Sequence, residues 1–298
     1  MKILCFGSMN LDYVYSVDHI VGLGETESTT SVSLNCGGKG LNQAVALARA
    51  GAPVWLAGLV GKDGKSLVDK CIENKIYIDY IRMSDERSGH TIIQVDRNGN
   101  NSILLFGGAN RCMTKEYIDE VLEGFGRGDI LLLQNEINLL NVIMEKAYEK
   151  GMQIVLNPSP FDDNLKECDL TKVSMFLLNE IEGEQMTGEK DPDKILEVLG
   201  EKYVSAKVIL TLGEEGSIYK DGDTKFTQKA YTVKAVDTTA AGDTFTGYYL
   251  YSVVKGMKPE EGLKLASKAS AMTVTRHGAM DSIPTMDEVL RCNAKSKL

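Results

Sequence analysis

The feature that most constrains this chain is an alternation that begins near residue 129. Short apolar runs at 130–133, 154–156, 175–178 and 208–212 mostly take turns with helix-like stretches at 139–150, 180–186 and 194–203. Strands this short and this uniformly apolar have to be buried on both faces. A parallel sheet covered by helices is the arrangement that does so. The N-terminal half fits the same plan. It has an apolar strand at 3–6, a helix at 41–50 closed by Gly51, a strand at 54–60 and a helix at 66–74, and the C-terminal part reads as two helices broken at Gly256-Met257-Lys258-Pro259.

Two stretches depart from the pattern. Residues 12–36 are polar and rich in Ser, Thr and Val, and residues 88–106 read as a hairpin around Asn98-Gly99. The expected architecture is therefore one α/β domain over residues 1–298, a doubly wound, mainly parallel sheet with helices on both faces. Insertions at about 12–36 and 88–106 add a small β-sheet. Ligands of such sheets bind beyond the carboxyl ends of the strands, where an added flap can act as a lid.

Composition narrows the function. A chain of 298 residues with net charge −9 and no basic run is a poor binder of nucleic acid or anionic membrane, and no apolar run reaches the length of a membrane span. Six scattered cysteines without a CxxC pair suggest reduced thiols and a cytoplasmic setting rather than a zinc site or a disulfide framework. The three histidines lack metal-ligand spacing, and Trp55 in its apolar strand reads as core. The string from Gly58 to Ser66 imitates a phosphate-binding P-loop but has one residue too many before Gly64-Lys65, and carries Asp63 where phosphates would sit, so it reads as a plain loop.

Three segments carry chemistry. Asp237-Thr238-Thr239-Ala240-Ala241-Gly242-Asp243-Thr244-Phe245 is small and polar before it opens a helix. Unpaired first-turn amides and the helix dipole make an anion site there. An acid at Asp243 suits a base that takes a proton from an attacking hydroxyl, worth ~10²–10⁴-fold in rate. Gly37-Gly38-Lys39-Gly40-Leu41-Asn42 lets backbone approach a ligand and sets Lys39 and Asn42 about one turn apart. Asn10 and Asp12 share one side of a strand and together can grip adjacent hydroxyls. Each has a plainer reading when taken alone: a first-turn acid with tight helix packing, a flexible loop with a solvated lysine, and an Asx turn.

Together and in order, these strings resemble the two signatures of the ribokinase-type (PfkB) carbohydrate kinase family. So do Gly107-Gly108-Ala109-Asn110, Asn157-Pro158-Ser159-Pro160, Asn179-Glu180-Ile181-Glu182 and the turn from Thr211 to Gly216. The resemblance runs the length of the chain. It implies ATP-dependent phosphorylation of a sugar hydroxyl, with Asp243 as base and the amides of Ala240, Ala241, Gly242 and Asp243 as anion hole. Asn10, Asp12, Gly38, Lys39, Asn42 and Glu136 would hold the sugar. Asn179, Thr211, Gly213, Gly216 and Gly242 would line ATP, and Glu182 would help organise Mg²⁺. A K⁺ site is implied at Asp237, Thr239, Thr273, Arg276, Gly278 and Ser282, where Thr273 and Asp281 depart from the family's commonest small residues.

Within the family, the sugar-facing set most resembles that of members that phosphorylate D-ribose to D-ribose 5-phosphate. The alternatives are another acceptor (fructose or another ketose, a 2-keto-3-deoxy sugar acid, a nucleoside) or a non-catalytic sugar-binding regulator of the same fold. His90 and Gln94 share a flap-strand face, and there they either present polar groups to a different sugar or point to solvent. The flap's apolar outer face and open edges suggest a homodimer through the lid.

Overall fold

This computed structural model describes residues 1–292; the last six residues of the expected 1–298 domain lie outside the described residues. The main sheet has nine strands. Its parallel part comprises β1 (Ile3–Phe6), β4 (Val54–Val60), β5 (Tyr77–Met83), β8 (Ile130–Gln134), β9 (Gln153–Asn157), β10 (Met175–Asn179) and β11 (Lys207–Thr211). An antiparallel hairpin, β12 (Ser217–Asp221) and β13 (Thr224–Gln228), completes one edge, and the spatial order is β13-β12-β11-β10-β9-β8-β1-β4-β5. From β1 the chain winds outward through β4 to β5, then restarts at β8 on the other side of β1. That reversal opens a crevice beyond the carboxyl end of β1.

The apolar runs are short because each strand must satisfy two cores at once. In β1, Ile3 and Cys5 face one helical layer while Leu4 and Phe6 face the other, and all four are fully buried. The first layer holds α1 (Lys39–Ala50), α2 (Lys65–Glu73), α7 (Ala241–Val254), α8 (Pro259–Thr273) and α9 (Met286–Arg291). The second holds α3 (Lys115–Glu123), α4 (Leu140–Glu149) and α6 (Pro192–Lys202), with α5 (Glu180–Thr187) leading from β10 into α6. Among the described residues, no helix is long and apolar enough to cross a membrane.

A separate four-stranded sheet is built from β2 (Asn10–Ser16), β3 (Ser31–Gly37), β6 (Gly89–Val95) and β7 (Asn101–Phe106), in the order β3-β2-β6-β7. Its register pairs Asp12 with Asn35 and Thr91, and pairs Leu11 with Cys36 and His90. Side chains on paired positions share a face. His90 and Gln94 therefore lie on the face opposite Asp12. His90 packs edge-on against Tyr13 and tilts against Phe106, and the Gln94 side-chain oxygen Oε1 accepts the Val21 amide. Neither points to the Asp12 side, so Thr91 rather than His90 or Gln94 flanks that carboxylate.

Candidate active site

Residues from the two ends of the chain meet beyond β1. The start of α1 rests directly on the backbone leaving β1. A Cβ on Gly40 would stand 2.4 Å from the Ser8 nitrogen and 2.6 Å from the Gly7 carbonyl carbon, so only glycine fits. The Leu41 amide donates to the Ser8 carbonyl at 2.9 Å and fixes the approach. Gly38 precedes the helix at φ +94°, in the left-handed region that glycine adopts without strain. This seat aims Lys39, Asn42 and Gln43 at the start of α7.

There the Asp243 carboxylate, 8% exposed, accepts from Asn42 Nδ2 at 3.0 Å and from Gln43 Nε2 at 2.9 Å. Ala240 enters α7 at φ +59°, a conformation that costs a non-glycine residue about 1–3 kcal/mol. Its carbonyl accepts the Thr244 amide at 2.8 Å. Of the four amides expected to bind an anion, that of Ala241 turns back to the Thr238 carbonyl at 3.3 Å and is spent within the loop. The Gly242 and Asp243 amides are first-turn donors with no intrahelical acceptor by position.

Lys39 sits between three carboxylates. Burial works against its charge, but Asp243, Glu136 and Glu182 outweigh that and hold the ammonium above the usual lysine range. Glu136 itself accepts from the Ser8 hydroxyl and from the Lys39 amide.

On the side of the small sheet, Asp12 accepts the Thr91 hydroxyl at 2.6 Å, and burial pushes its carboxyl up to about 6, against the pull of Thr91 and with the nearby charge of Glu136 adding to the rise. Asn10 is held by Asn110, whose Nδ2 donates to Asn10 Oδ1 at 2.8 Å. Gly37 and Gly89 leave no room for side chains here: a Cβ would lie 2.0 Å from Asp12 Oδ2 and 2.4 Å from Asn10 Oδ1 respectively.

On the other side of Asp243 lies a cavity of about 520 Å³, whose lining includes Lys39, Asn179, Glu182, Thr211, Gly213 and Gly242. Gly216 borders it at φ +118°, where a Cβ would meet the Gln228 carbonyl oxygen at 2.0 Å. Asn179 and Glu182 also hold each other. Asn179 Oδ1 accepts the Ile181 and Glu182 amides, while Glu182 Oε2 accepts the Asn179 amide, a capping box at the start of α5. The Asn157 side-chain oxygen lies buried in the same cavity without a partner.

The turn before α7 is clamped by Asp237, which accepts the Thr239 amide at 2.9 Å and the Gly278 amide at 3.0 Å. Burial works to raise this carboxyl, but those hydrogen bonds hold it below the usual range. Two residues expected beside it contribute no side-chain oxygen: the Thr273 hydroxyl is engaged with Thr244 and the Ala269 carbonyl, and the Arg276 guanidinium pairs with Glu288. The Ser282 hydroxyl donates to the Ala279 carbonyl at 2.6 Å.

Sequence reasoning missed Gln43, Asn110, Gln134 and Thr91, all buried and polar. Asp63 behaves as the loop residue it was read to be, accepting the Ser88 amide at 2.9 Å.

Residues 1–286 match the pfkB family of carbohydrate kinases. The chain belongs to that family. It is 34% identical to the ribokinase of Haemophilus influenzae over 294 residues, covering 95% of each chain. It is 32% identical to the ribokinase of Bacillus subtilis, covering 97% of this chain and 98% of that one. Among solved structures, Arabidopsis thaliana ribokinase complexed with ribose and ATP aligns with a TM-score of 0.86 at 28% identity, over 97% of both chains. As a pfkB-family carbohydrate kinase, the protein is a phosphotransferase with an alcohol group as acceptor.

Proposed function

We propose that this enzyme transfers the γ-phosphoryl group of MgATP to the 5-hydroxyl of D-ribose, giving D-ribose 5-phosphate and ADP. The observation that carries the reading is the place of Asp243. Its carboxylate stands between the Asn10–Asp12–Asn42–Glu136 side and the Asn179–Thr211–Gly213 cavity, at the amide end of α7. The small sheet, carrying Asn10 and Asp12, is the lid over the sugar.

Asp12 and Asn10 hold sugar hydroxyls from the lid. The Asn42 side-chain oxygen, buried and without a partner, offers a further acceptor to the sugar. The sugar oxygen attacks the γ-phosphorus, the bond from that phosphorus to the bridging oxygen of ADP breaks, and the hydroxyl proton passes to Asp243. The Gly242 and Asp243 amides and the positive end of the α7 dipole stabilise charge on the transferring group. Lys39 adds a fixed positive charge beside it.

The unpartnered Asn157 oxygen and the Glu182 carboxylate are hard oxygen donors in one cavity, a set that suits a hydrated Mg²⁺. Bound with ATP, Mg²⁺ would offset the phosphate charge in this acidic pocket. The Asp237 carboxylate, held below the usual range and bonded to the Thr239 and Gly278 amides, supports the K⁺ site, and a cation bound there would stiffen the turn ahead of α7. The match to a carbohydrate kinase family sets aside the alternative of a non-catalytic sugar-binding regulator.

The exposed apolar side chains of Val32, Leu34, Ile103, Leu104, Leu105 and Phe106 lie on the two unpaired lid edges, and support a homodimer through the lid. Free cysteines, two of them fully buried, suit a reducing, cytoplasmic setting. One preparation tests these readings. ADP release across a panel of pentoses, ketoses, sugar acids and nucleosides should favour D-ribose and run faster in K⁺ than in Na⁺, and light scattering should give a dimer mass. Preference for fructose or a nucleoside overturns the acceptor. Equal rates in the two salts overturn the cation site, and a monomer mass overturns the dimer.

The raised carboxyl of Asp12 sets a pH dependence. Above about pH 6 it is ionised and accepts two sugar hydroxyls, and below that it protonates and loses part of that grip. In pH series of ribose kinetics, kcat/KM should therefore fall below about pH 6 through a rising KM. In Asp12→Asn the same series should start lower and lose this limb. A KM independent of pH in the unsubstituted enzyme would show that Asp12 does not contact sugar.

A further inference from the structure

We propose that Gln43, oriented by Gln134, is a positioning residue for the Asp243 carboxylate. The inference rests on the reading of Asp243 as base.

Gln43 on α1 and Gln134 at the end of β8 are both fully buried. An ionised carboxylate only accepts hydrogen bonds, so Gln43 must turn its Nε2 toward Asp243, as it does at 2.9 Å. Its Oε1 then faces away and needs a donor, which Gln134 Nε2 supplies at 2.7 Å. Reversing either amide would bring two acceptors face to face. Gln134 bears the cost of this one-way chain: its own Oε1 is buried with no partner, and its amide nitrogen otherwise donates weakly to the Cys5 sulfur at 3.8 Å. An apolar side chain of the same length would have no carbonyl of its own to orphan, but it would leave Gln43 Oε1 without its donor. A chain that fixes which end of Gln43 meets the carboxylate accounts for keeping it.

The effect is on rate, because the oriented carboxylate is needed only as the hydroxyl loses its proton. Asn42 Nδ2 holds the second oxygen, so loss of Gln43 would leave Asp243 tethered at one atom and free to rotate. The charged and titratable groups around Asp243 are the Lys39 ammonium on α1, with Glu136 and Glu182 beyond it, and the Cys5 thiol on β1. Burial pushes that thiol up to about 12, and Lys39 stays charged, so neither changes state between about pH 5 and 9.

The test is kcat and ribose KM against pH for the unsubstituted enzyme, Gln43→Leu and Gln134→Met, with thermal unfolding of each. Gln43→Leu should lower kcat about tenfold at neutral pH, leave KM within about twofold, and move the acidic limb of kcat to higher pH by about one unit. Gln134→Met, which removes one orphaned carbonyl and leaves Gln43 Oε1 without its donor, should move the same limb in the same direction by less, with little net change in the unfolding temperature. If Gln43→Leu does not fold, Gln134→Met carries the test. A lower kcat with an unmoved limb in the folded variants would mean the pair only fills space, and overturns the proposal. Asp243→Asn separates the two readings: if it turns over normally, the base assignment fails and the proposal with it, whereas an inactive Asp243→Asn beside unaltered glutamine variants removes the proposal alone.

Discussion

Asp243→Asn is expected to lower kcat by about 10³- to 10⁴-fold, the upper part of the range for loss of a general base. Two effects add. The amide cannot take the hydroxyl proton, and it fits the site badly. Both oxygens of Asp243 accept from amide NH₂ groups, Asn42 at 3.0 Å and Gln43 at 2.9 Å. Asparagine must offer an NH₂ of its own to one of them, so two donors meet in a buried place. Sugar affinity should change little, since Asn10, Asp12 and Glu136 lie off the substituted atom. The result is read from single-turnover ADP formation at saturating ribose and ATP, alongside ribose binding by calorimetry. A kcat within threefold of the unsubstituted enzyme would remove Asp243 from the proton transfer.

Asp243, Asn42 and Lys39 were legible because each sits in a contiguous string of small residues at a helix start, where backbone can come close to another chain segment or a ligand. The groups that complete the site carry no signal of their partners, even where, like Asn110 in Gly107-Gly108-Ala109-Asn110, they close a short string. Gln43 finds Asp243 across 200 positions, Gln134 finds Gln43 across 91, and Asn110 finds Asn10 across 100. A buried polar side chain carries no periodic signature, and its partner is chosen by the fold. Ala240 is a different failure: its positive φ is borne by an alanine, so nothing in the residue type announces the turn. Asn179 and Glu182 were read as ligands alone, although the N-x-x-E spacing is also that of a capping box, which the structure contains.

The central strands were legible for a related reason. Buried on both faces, they have no freedom in composition, and β1, β4 and β8 to β11 emerge as apolar runs. The edges were not. β5 carries an exposed Asp79 and a half-buried Arg82, and β13 has Thr224, Lys225, Thr227 and Gln228 around Phe226, because one side of an edge strand meets water. The Asp221-Gly222-Asp223 turn between β12 and β13 is itself a hairpin signal. Helices α3 and α9 also carry N-terminal signals: Thr114 and Thr285 cap them, and Glu288 completes a box with the second.

Gly247→Ala is expected to damage both stability and turnover, because α1 and α7 touch at their backbones. A Cβ on Gly247 would stand 2.4 Å from the Ala46 Cβ, 2.8 Å from the Ala46 carbonyl carbon and 2.8 Å from the Leu47 nitrogen. None of these atoms can rotate away, so the helices must part. Alanine's better helix propensity returns about 0.5–1 kcal/mol, against about 1–3 kcal/mol for overpacking, so the net is a loss. The chemical consequence is larger. α1 carries Asn42 and Gln43, α7 carries Asp243, and hydrogen bonds of 2.9–3.0 Å between them are lost if the helices separate by about 1 Å. Displacement of that size costs about 10²-fold in rate. Gly200→Ala on α6, whose Cβ would meet only the flexible end of Lys220 at 3.2 Å, is the control and should leave kcat unaltered while holding or raising the unfolding temperature. If Gly247→Ala matches that control in both melting and kcat, the two helices are not the rigid pair on which the alignment of Asp243 depends.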